Sequence, residues 1–257
     1  MKLIYDVNDR IARITINRPE AMNAMDADVY AELSKAWIDV RDNPDVWIAI
    51  VTGAGDKAFT AGADLKSFIP GTRGKADFWL TQKNMILNRG LEVWKPIIAA
   101  VNGFCTAGGM EMLGGIDIRV ACPEAKFSVM EPKRGLFAGG GTTVRLPRQI
   151  PFPYAMEFLL CADLIPAERA YEMGLLNAVV PREELLDKAY EYARRITANA
   201  PLAVQATKQS VWEGLGMSLR DAYKNESQLS SMIFQTEDAK EGPKAFREKR
   251  KPNWQGK

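Results

Sequence analysis

The sequence predicts an α/β fold with a helical C-terminal region, and three observations carry that reading. Short apolar runs bounded by turn residues, such as Val46–Val51 and Ile97–Val101, alternate with helical patterns as far as about residue 195. From Tyr154 onward the periodicity is mostly helical. A chain of 257 residues with 47% hydrophobic content is long enough to bury one sizeable core.

The elements follow in order. Residues 2–17 read as two strands, with Ile11, Arg13, Ile14 and Ile16 alternating after an Asn8-Asp9 turn. Val29, Leu33, Trp37 and Val40 recur at helical spacing and predict a helix over Asp26–Arg41, stopped by Asn43-Pro44-Asp45. Val46–Val51 reads as a buried strand ended by Gly53-Ala54-Gly55, and Ala58–Thr60 as a further extended piece. A polar, Gly-containing stretch over Ser67–Asp77 reads as a loop, with a helix over Phe78–Val93. Strand Ile97–Val101, a Gly-rich turn, helix Gly109–Leu113 and strands Asp117–Ala121 and Lys126–Val129 complete the mixed part. Helices are predicted over Ala155–Leu160, Ala167–Glu172, Leu185–Asn199, Leu202–Glu213 and Leu219–Phe234. There is no low-complexity segment and no sequence repeat.

Composition narrows the chemistry. With 34 basic and 32 acidic side chains the net charge is +2, which argues against a general nucleic-acid binder. No stretch approaches the roughly 20 apolar residues of a membrane span, and Met1-Lys2-Leu3-Ile4-Tyr5-Asp6 turns polar too early for a signal peptide. Cys105, Cys122 and Cys161 are odd in number and widely spaced, which suggests reduced thiols in a cytoplasmic protein. The count of histidines is 0, which removes Ser-His-Asp and Cys-His nucleophile systems and His-bearing metal sites. Proton transfer near neutral pH then falls to Glu, Asp, Lys, Tyr, Cys or water, with carboxylates leading.

Three segments carry candidate chemistry. Lys57-Ala58-Phe59-Thr60-Ala61-Gly62-Ala63-Asp64-Leu65-Lys66 places small residues after a strand, where a ligand can approach backbone amides. Ile97 through Glu111 runs from a buried strand through Thr106-Ala107-Gly108-Gly109 into a helix, whose first N–H groups and positive dipole end suit developing negative charge. Phe127 through Gly141 brings an acidic residue, Glu131, out of a short strand and ends in Gly139-Gly140-Gly141. Each alone is also what a tight turn, a helix dipole or a solvated loop would require.

In this order the three segments resemble the crotonase (enoyl-CoA hydratase/isomerase) superfamily. The resemblance rests on Ala61-Gly62-Ala63-Asp64 after a strand, on Gly108-Gly109-Met110-Glu111 at a helix start, and on a second glutamate, Glu131, twenty positions beyond Glu111. It extends to Asn17-Arg18-Pro19-Glu20-Ala21-Met22-Asn23-Ala24, to the segment from Ala167 to Asn177, and to the tail from Glu241 to Arg250. It implies a spiral of repeated strand-turn-helix units over residues 1–200, holding the acyl-CoA site, and a helical trimerisation region over residues 201–257.

The resemblance also implies the activity: reversible hydration of a 2-enoyl-CoA thioester to a 3-hydroxyacyl-CoA. Backbone N–H groups of Ala63 and Gly108 would form the oxyanion hole, a device typically worth roughly 3–4 kcal/mol per donor. Glu111 and Glu131 match the two glutamates that activate water and deliver the α-proton. Coenzyme A, part of the substrate rather than a cofactor, would lie along Ala24, Ala61, Asp64, Leu65 and Lys66. Arg18, Lys66 and Arg73 are candidate phosphate partners, Phe68, Trp79 and Met85 candidate walls of the acyl pocket, and Phe246 and Lys249 candidate contacts to a neighbour's coenzyme site. No metal or redox cofactor is implied. The expected assembly is a homotrimer or homohexamer, with no nucleic-acid or membrane partner.

The alternatives are another acyl-CoA isomerase, dehydratase or hydrolase of the superfamily, or a non-catalytic acyl-CoA or RNA-binding protein. Two departures from the family pattern flank the acyl pocket. Glu131 is preceded by Met130 and followed by Pro132, where the family commonly has Pro before the glutamate, and Ala138 stands where many members have Pro.

Overall fold

Strand pairs set the architecture. The computed structural model describes residues 1–64, 87 and 91–257. Strands β1 (Leu3–Asn8) and β2 (Ile11–Ile16) form an antiparallel hairpin. Against β2 lie, in parallel, β3 (Ile48–Gly53), then β5 (Ile97–Val101), β7 (Ile118–Ala121) and β10 (Ala178–Val179). A second sheet joins β4 (Ala58–Thr60), β6 (Phe104–Thr106) and β8 (Lys126–Ser128) in parallel, with β9 (Ile165–Pro166) antiparallel at its edge.

The chain therefore alternates between two sheets. β3, β5 and β7 enter the larger one, and β4, β6 and β8, next in sequence, enter the smaller one. This is the repeating unit of the expected spiral. Every residue of β3 and β5 is buried, as parallel strands covered on both faces require. The turn from β5 to β6 is fixed by the Asn102 side chain, which donates to the Gly53 and Gly55 carbonyls at 2.9 and 2.8 Å and accepts from the Gly53 N–H at 3.2 Å.

Helix α1 (Ala27–Asp42) begins on Asp26, whose carboxylate accepts the Val29 N–H at 3.0 Å, and it buries Val29, Leu33, Ala36, Trp37 and Val40. Helix α2 (Gly108–Leu113) follows β6. Next come α3 (Thr142–Gln149) and α4 (Phe152–Met156), the latter running into one π-type turn over Glu157–Cys161, and then α5 (Ala167–Glu172). The remaining helices are α6 (Leu185–Thr197), α7 (Pro201–Gly214), α8 (Leu219–Ile233) and α9 (Glu237–Arg247).

A lysine ties the helical region to the rest, and a buried aspartate holds the end of the chain to α9. Lys208 on α7 reaches back to the Asp117 carboxylate at 2.7 Å and the Lys95 carbonyl at 3.0 Å. Asp238 on α9, itself buried, accepts the Gln255 and Gly256 N–H groups at 2.7 and 2.9 Å. No described helix is long and apolar enough to cross a membrane.

Most boundaries match the sequence reading within two residues, and the differences have physical causes. The helix expected over Ala155–Leu160 is instead α4 and a π turn, displaced toward Pro151 because proline fixes the first turn. Helices α3 and α9 were not among the expected elements, and each carries a proline inside it, Pro147 and Pro243. The Ser67–Asp77 loop and most of the Phe78–Val93 helix lie outside the described residues.

Candidate functional site

Two consecutive strand ends of the smaller sheet build the site. β4 leads into Ala61-Gly62-Ala63-Asp64, and this segment pairs with the chain before α1. Met25 N–H donates to the Gly62 carbonyl at 2.8 Å and Asp64 N–H to the Met25 carbonyl at 2.9 Å. Those two bonds face Ala63 away from Met25, so its own N–H points to the opposite side. The segment is held from below by buried Asn23, which donates to the Ala54 and Ala58 carbonyls at 2.9 and 2.7 Å and accepts the Arg18 N–H at 2.9 Å. Thr60 Oγ1 donates to the Asn23 carbonyl at 2.7 Å and accepts the Gly62 N–H at 3.1 Å.

β6 leads into Ala107, which adopts φ 51°, ψ −117°. An L-residue rarely takes that conformation, and it costs on the order of 1–3 kcal/mol. It turns the chain so that the Gly108 N–H opens α2. Gly62, at φ +90°, turns the adjacent segment in the same way, and a Cβ at Gly62 would stand 2.7 Å from the Gly108 nitrogen and 2.9 Å from the Ala107 Cβ. The two turns are thus packed back to back. A Cβ at Gly108 would in turn lie 3.4 Å from the Ala63 nitrogen. Neither the Ala63 nor the Gly108 N–H has an acceptor among the described residues.

Both glutamates are at this place. Glu111 lies one turn into α2, and its Oε1 accepts the Gly140 N–H at 2.6 Å. A Cβ at Gly140 would overlap the Glu111 carboxyl, so the glycine cluster after Glu131 is there to receive Glu111. Glu131 is half-buried, and its Oε2 is buried with no hydrogen-bond partner among the described residues. Burial pushes the Glu131 carboxyl above its ordinary range, a backbone hydrogen bond at Glu131 itself offsets part of that, and the Glu111 charge raises it again. The departure at Met130-Glu131-Pro132 is accommodated because Pro132 opens a 3-10 turn, Pro132–Arg134, that starts from Glu131. Ala138 is buried just before the glycines.

Sequence reasoning missed Tyr30. Its hydroxyl oxygen lies 3.1 Å from the point where a Gly108 Cβ would stand. Burial pushes the Tyr30 phenol's pKa up, and the Glu111 and Glu131 charges add to the rise. Helical periodicity could mark only the buried stripe of α1, and Tyr30 lies beside that stripe. Its neighbours here come from β4 and α2, far away in sequence.

Of the expected coenzyme contacts, Ala24, Ala61 and Asp64 are together around the Met25–Ala63 pairing, each partly exposed. The Arg18 guanidinium donates to the Ala24 carbonyl at 2.6 Å and lies 3.3 and 3.4 Å from the Asp64 and Asp26 carboxylates, so a phosphate would compete with two carboxylates for it. Leu65 and Lys66 lie outside the described residues, as do Phe68, Arg73, Trp79 and Met85. Phe246 is exposed on α9, and Lys249 follows that helix. Among the described residues no cluster of His, Cys, Asp or Glu is arranged to hold a metal ion.

The chain is similar to known proteins over its whole length. The family model described as enoyl-CoA hydratase/isomerase matches residues 6–257. The chain is 42% identical over 256 residues to an (E)-benzylidenesuccinyl-CoA hydratase of Thauera aromatica, covering 100% of both chains. It is 44% identical over 247 residues to an enoyl-CoA hydratase of Mycobacterium tuberculosis, covering 95% of this chain and 92% of the other. A crystal structure of an enoyl-CoA hydratase from the same organism superposes with a TM-score of 0.89 at 40% identity, covering 100% of this chain and 99% of that one. With the alternating two-sheet spiral and the whole-chain match together, the chain belongs to the enoyl-CoA hydratase/isomerase family and has the crotonase fold.

Proposed function

We propose that the protein catalyses reversible hydration of a 2-enoyl-CoA thioester to the 3-hydroxyacyl-CoA. The observation that carries the reading is the convergence of two backbone donors with no acceptor among the described residues, Ala63 and Gly108, with two carboxyl groups, Glu111 and Glu131. The thioester oxygen accepts both N–H groups, and negative charge developing on it as water adds is stabilised by donors already in place. Glu111, fixed by the Gly140 N–H, takes the proton of the water that attacks Cβ. Glu131, whose burial favours its protonated form, gives a proton to Cα. The net change is one water added across one double bond, with no oxidant or reductant. The hydratases among the relatives support this direction of chemistry.

The coenzyme portion lies along Ala24, Ala61 and Asp64 and continues past Leu65 and Lys66. The chain assembles as a homotrimer or homohexamer through its helical region, residues 201–257, beyond the spiral core of residues 1–200. Support comes from Val211, Leu215, Leu219, Met232 and Phe234, all exposed in the single chain. Free thiols at Cys105, Cys122 and Cys161 suit a reducing, cytoplasmic setting.

Incubation with a panel of enoyl-CoA thioesters, following loss of the conjugated chromophore, tests the activity. Hydration of at least one member is the expected outcome. Absence of turnover across short, long and aryl-substituted members would overturn it.

A further inference from the structure

We propose that the Tyr30 hydroxyl is a third hydrogen-bond donor to the substrate's thioester oxygen, beside the Ala63 and Gly108 N–H groups. The proposal rests on the reading above that those two groups hold this oxygen. Tyr30 is the fourth residue of α1, and its ring packs against the core. Around the point where a Gly108 Cβ would stand, the Tyr30 hydroxyl lies at 3.1 Å, the Met25 Cε at 3.2 Å and the Ala63 nitrogen at 3.4 Å. A phenol oxygen and a backbone donor thus border one small volume that glycine leaves open, next to the second donor. Met25 closes its side with an apolar methyl group, which strengthens hydrogen bonds made there.

A phenol suits this position chemically. It is partly buried and feels the charges of Glu111 from α2 and Glu131 after β8, so it keeps its proton and remains a donor through the neutral range. It brings no formal charge, so it does not neutralise Glu111, which takes the water proton, or hold Glu131, which gives the α-proton, in its ionised form. No bond to Tyr30 is made or broken. Its O–H bond to the oxygen strengthens as the thioester carbonyl takes on enolate character, which is when stabilisation raises the rate. Unlike the backbone donors, this one can be deleted by a side-chain change.

Tyr30→Phe keeps the ring and removes the hydroxyl. Affinities for a saturated acyl-CoA and for its thioether analogue, which has CH₂ in place of the carbonyl, are measured by calorimetry in wild type and variant. Wild type is expected to prefer the carbonyl form. In Tyr30→Phe the preference should shrink roughly three- to tenfold, the usual net worth of a neutral hydrogen bond, and thioether affinity should be unchanged. The ratio of the two affinities decides even if the variant is slightly disturbed, because both ligands sense that disturbance. An unchanged preference in the variant overturns the proposal, including the case in which kcat falls because the hydroxyl served a glutamate instead. Absence of any preference in wild type is a different result, and it sinks the oxyanion reading itself.

Discussion

The Gly140 N–H donates a 2.6 Å hydrogen bond to Glu111 Oε1, and a Cβ at Gly140 would overlap the same carboxyl group. The pairing makes Gly140 a test of how Glu111 is aimed. Its backbone is not left-handed, so alanine is tolerated conformationally and the added methyl acts on the flexible end of Glu111. Gly140→Ala is expected to fold, to bind CoA ligands as wild type does, and to lose on the order of 10²-fold in kcat, the scale of a misplaced general base. Steady-state kinetics with an active enoyl-CoA checks this, and full activity would show that Glu111 does not need the position seen.

Direct removal of the acids is the companion experiment. Glu111→Gln and Glu131→Gln keep size and hydrogen-bonding capacity but cannot exchange the proton. Each should lower kcat by roughly 10²–10⁴ with little change in affinity for a CoA ligand. If both variants turn over at the wild-type rate, the glutamate pair is not the acid–base system.

Glu131 also links activity to stability. Its carboxyl is raised above the ordinary range by burial, with the Glu111 charge adding. A group raised in the folded state stabilises the fold below its unfolded value, and that contribution is lost as pH rises through the folded value. At neutral pH, ionisation of this buried group therefore works against the fold. Glu131→Gln should raise the melting temperature near pH 7, and the gain should vanish below the normal glutamate range. Calorimetric melting across that window checks the sign, and a variant less stable than wild type at neutral pH would reverse it.

Assembly is read from the helical region. Leu219, Met232 and Phe234 on and just after α8 are exposed by 70%, 66% and 78%, more apolar surface than an isolated helix pair normally shows to water. Sedimentation velocity should find a trimer or hexamer, and Met232→Glu with Phe234→Glu should shift the population to smaller species. A dilute, fully active wild-type monomer would contradict this.

Strands β3 and β5 were legible because a parallel strand buried on both faces is an uninterrupted apolar run. Helix α1 was legible because its buried stripe repeats at 3.6-residue spacing and Asp26 caps it. Helices α3 and α9 were not: each continues through an internal proline, Pro147 and Pro243, a residue that local pattern disfavours inside a helix. The glutamates and the two small-residue turns were recognisable as an ordered set. What joins them was not: the Gly140–Glu111 bond and the approach of Tyr30 to Gly108 link residues distant in sequence, and nothing in the residue type of Ala107 marks its positive φ.

The proposed reaction depends on the Ala63 and Gly108 N–H groups holding the thioester oxygen. Gly108→Pro deletes one donor and should cost at least 10²–10³ in rate, on the order expected for one donor, but its fixed φ also disturbs the turn into α2. The direct measurement leaves the wild-type protein intact and changes the ligand. Binding of a saturated acyl-CoA is compared by calorimetry with that of its thioether analogue, in which a methylene replaces the carbonyl. The thioether is expected to bind more weakly, with the coenzyme portion contributing equally to both. Equal affinity for the two would mean that the pocket offers that oxygen no donors, and would contradict the claim.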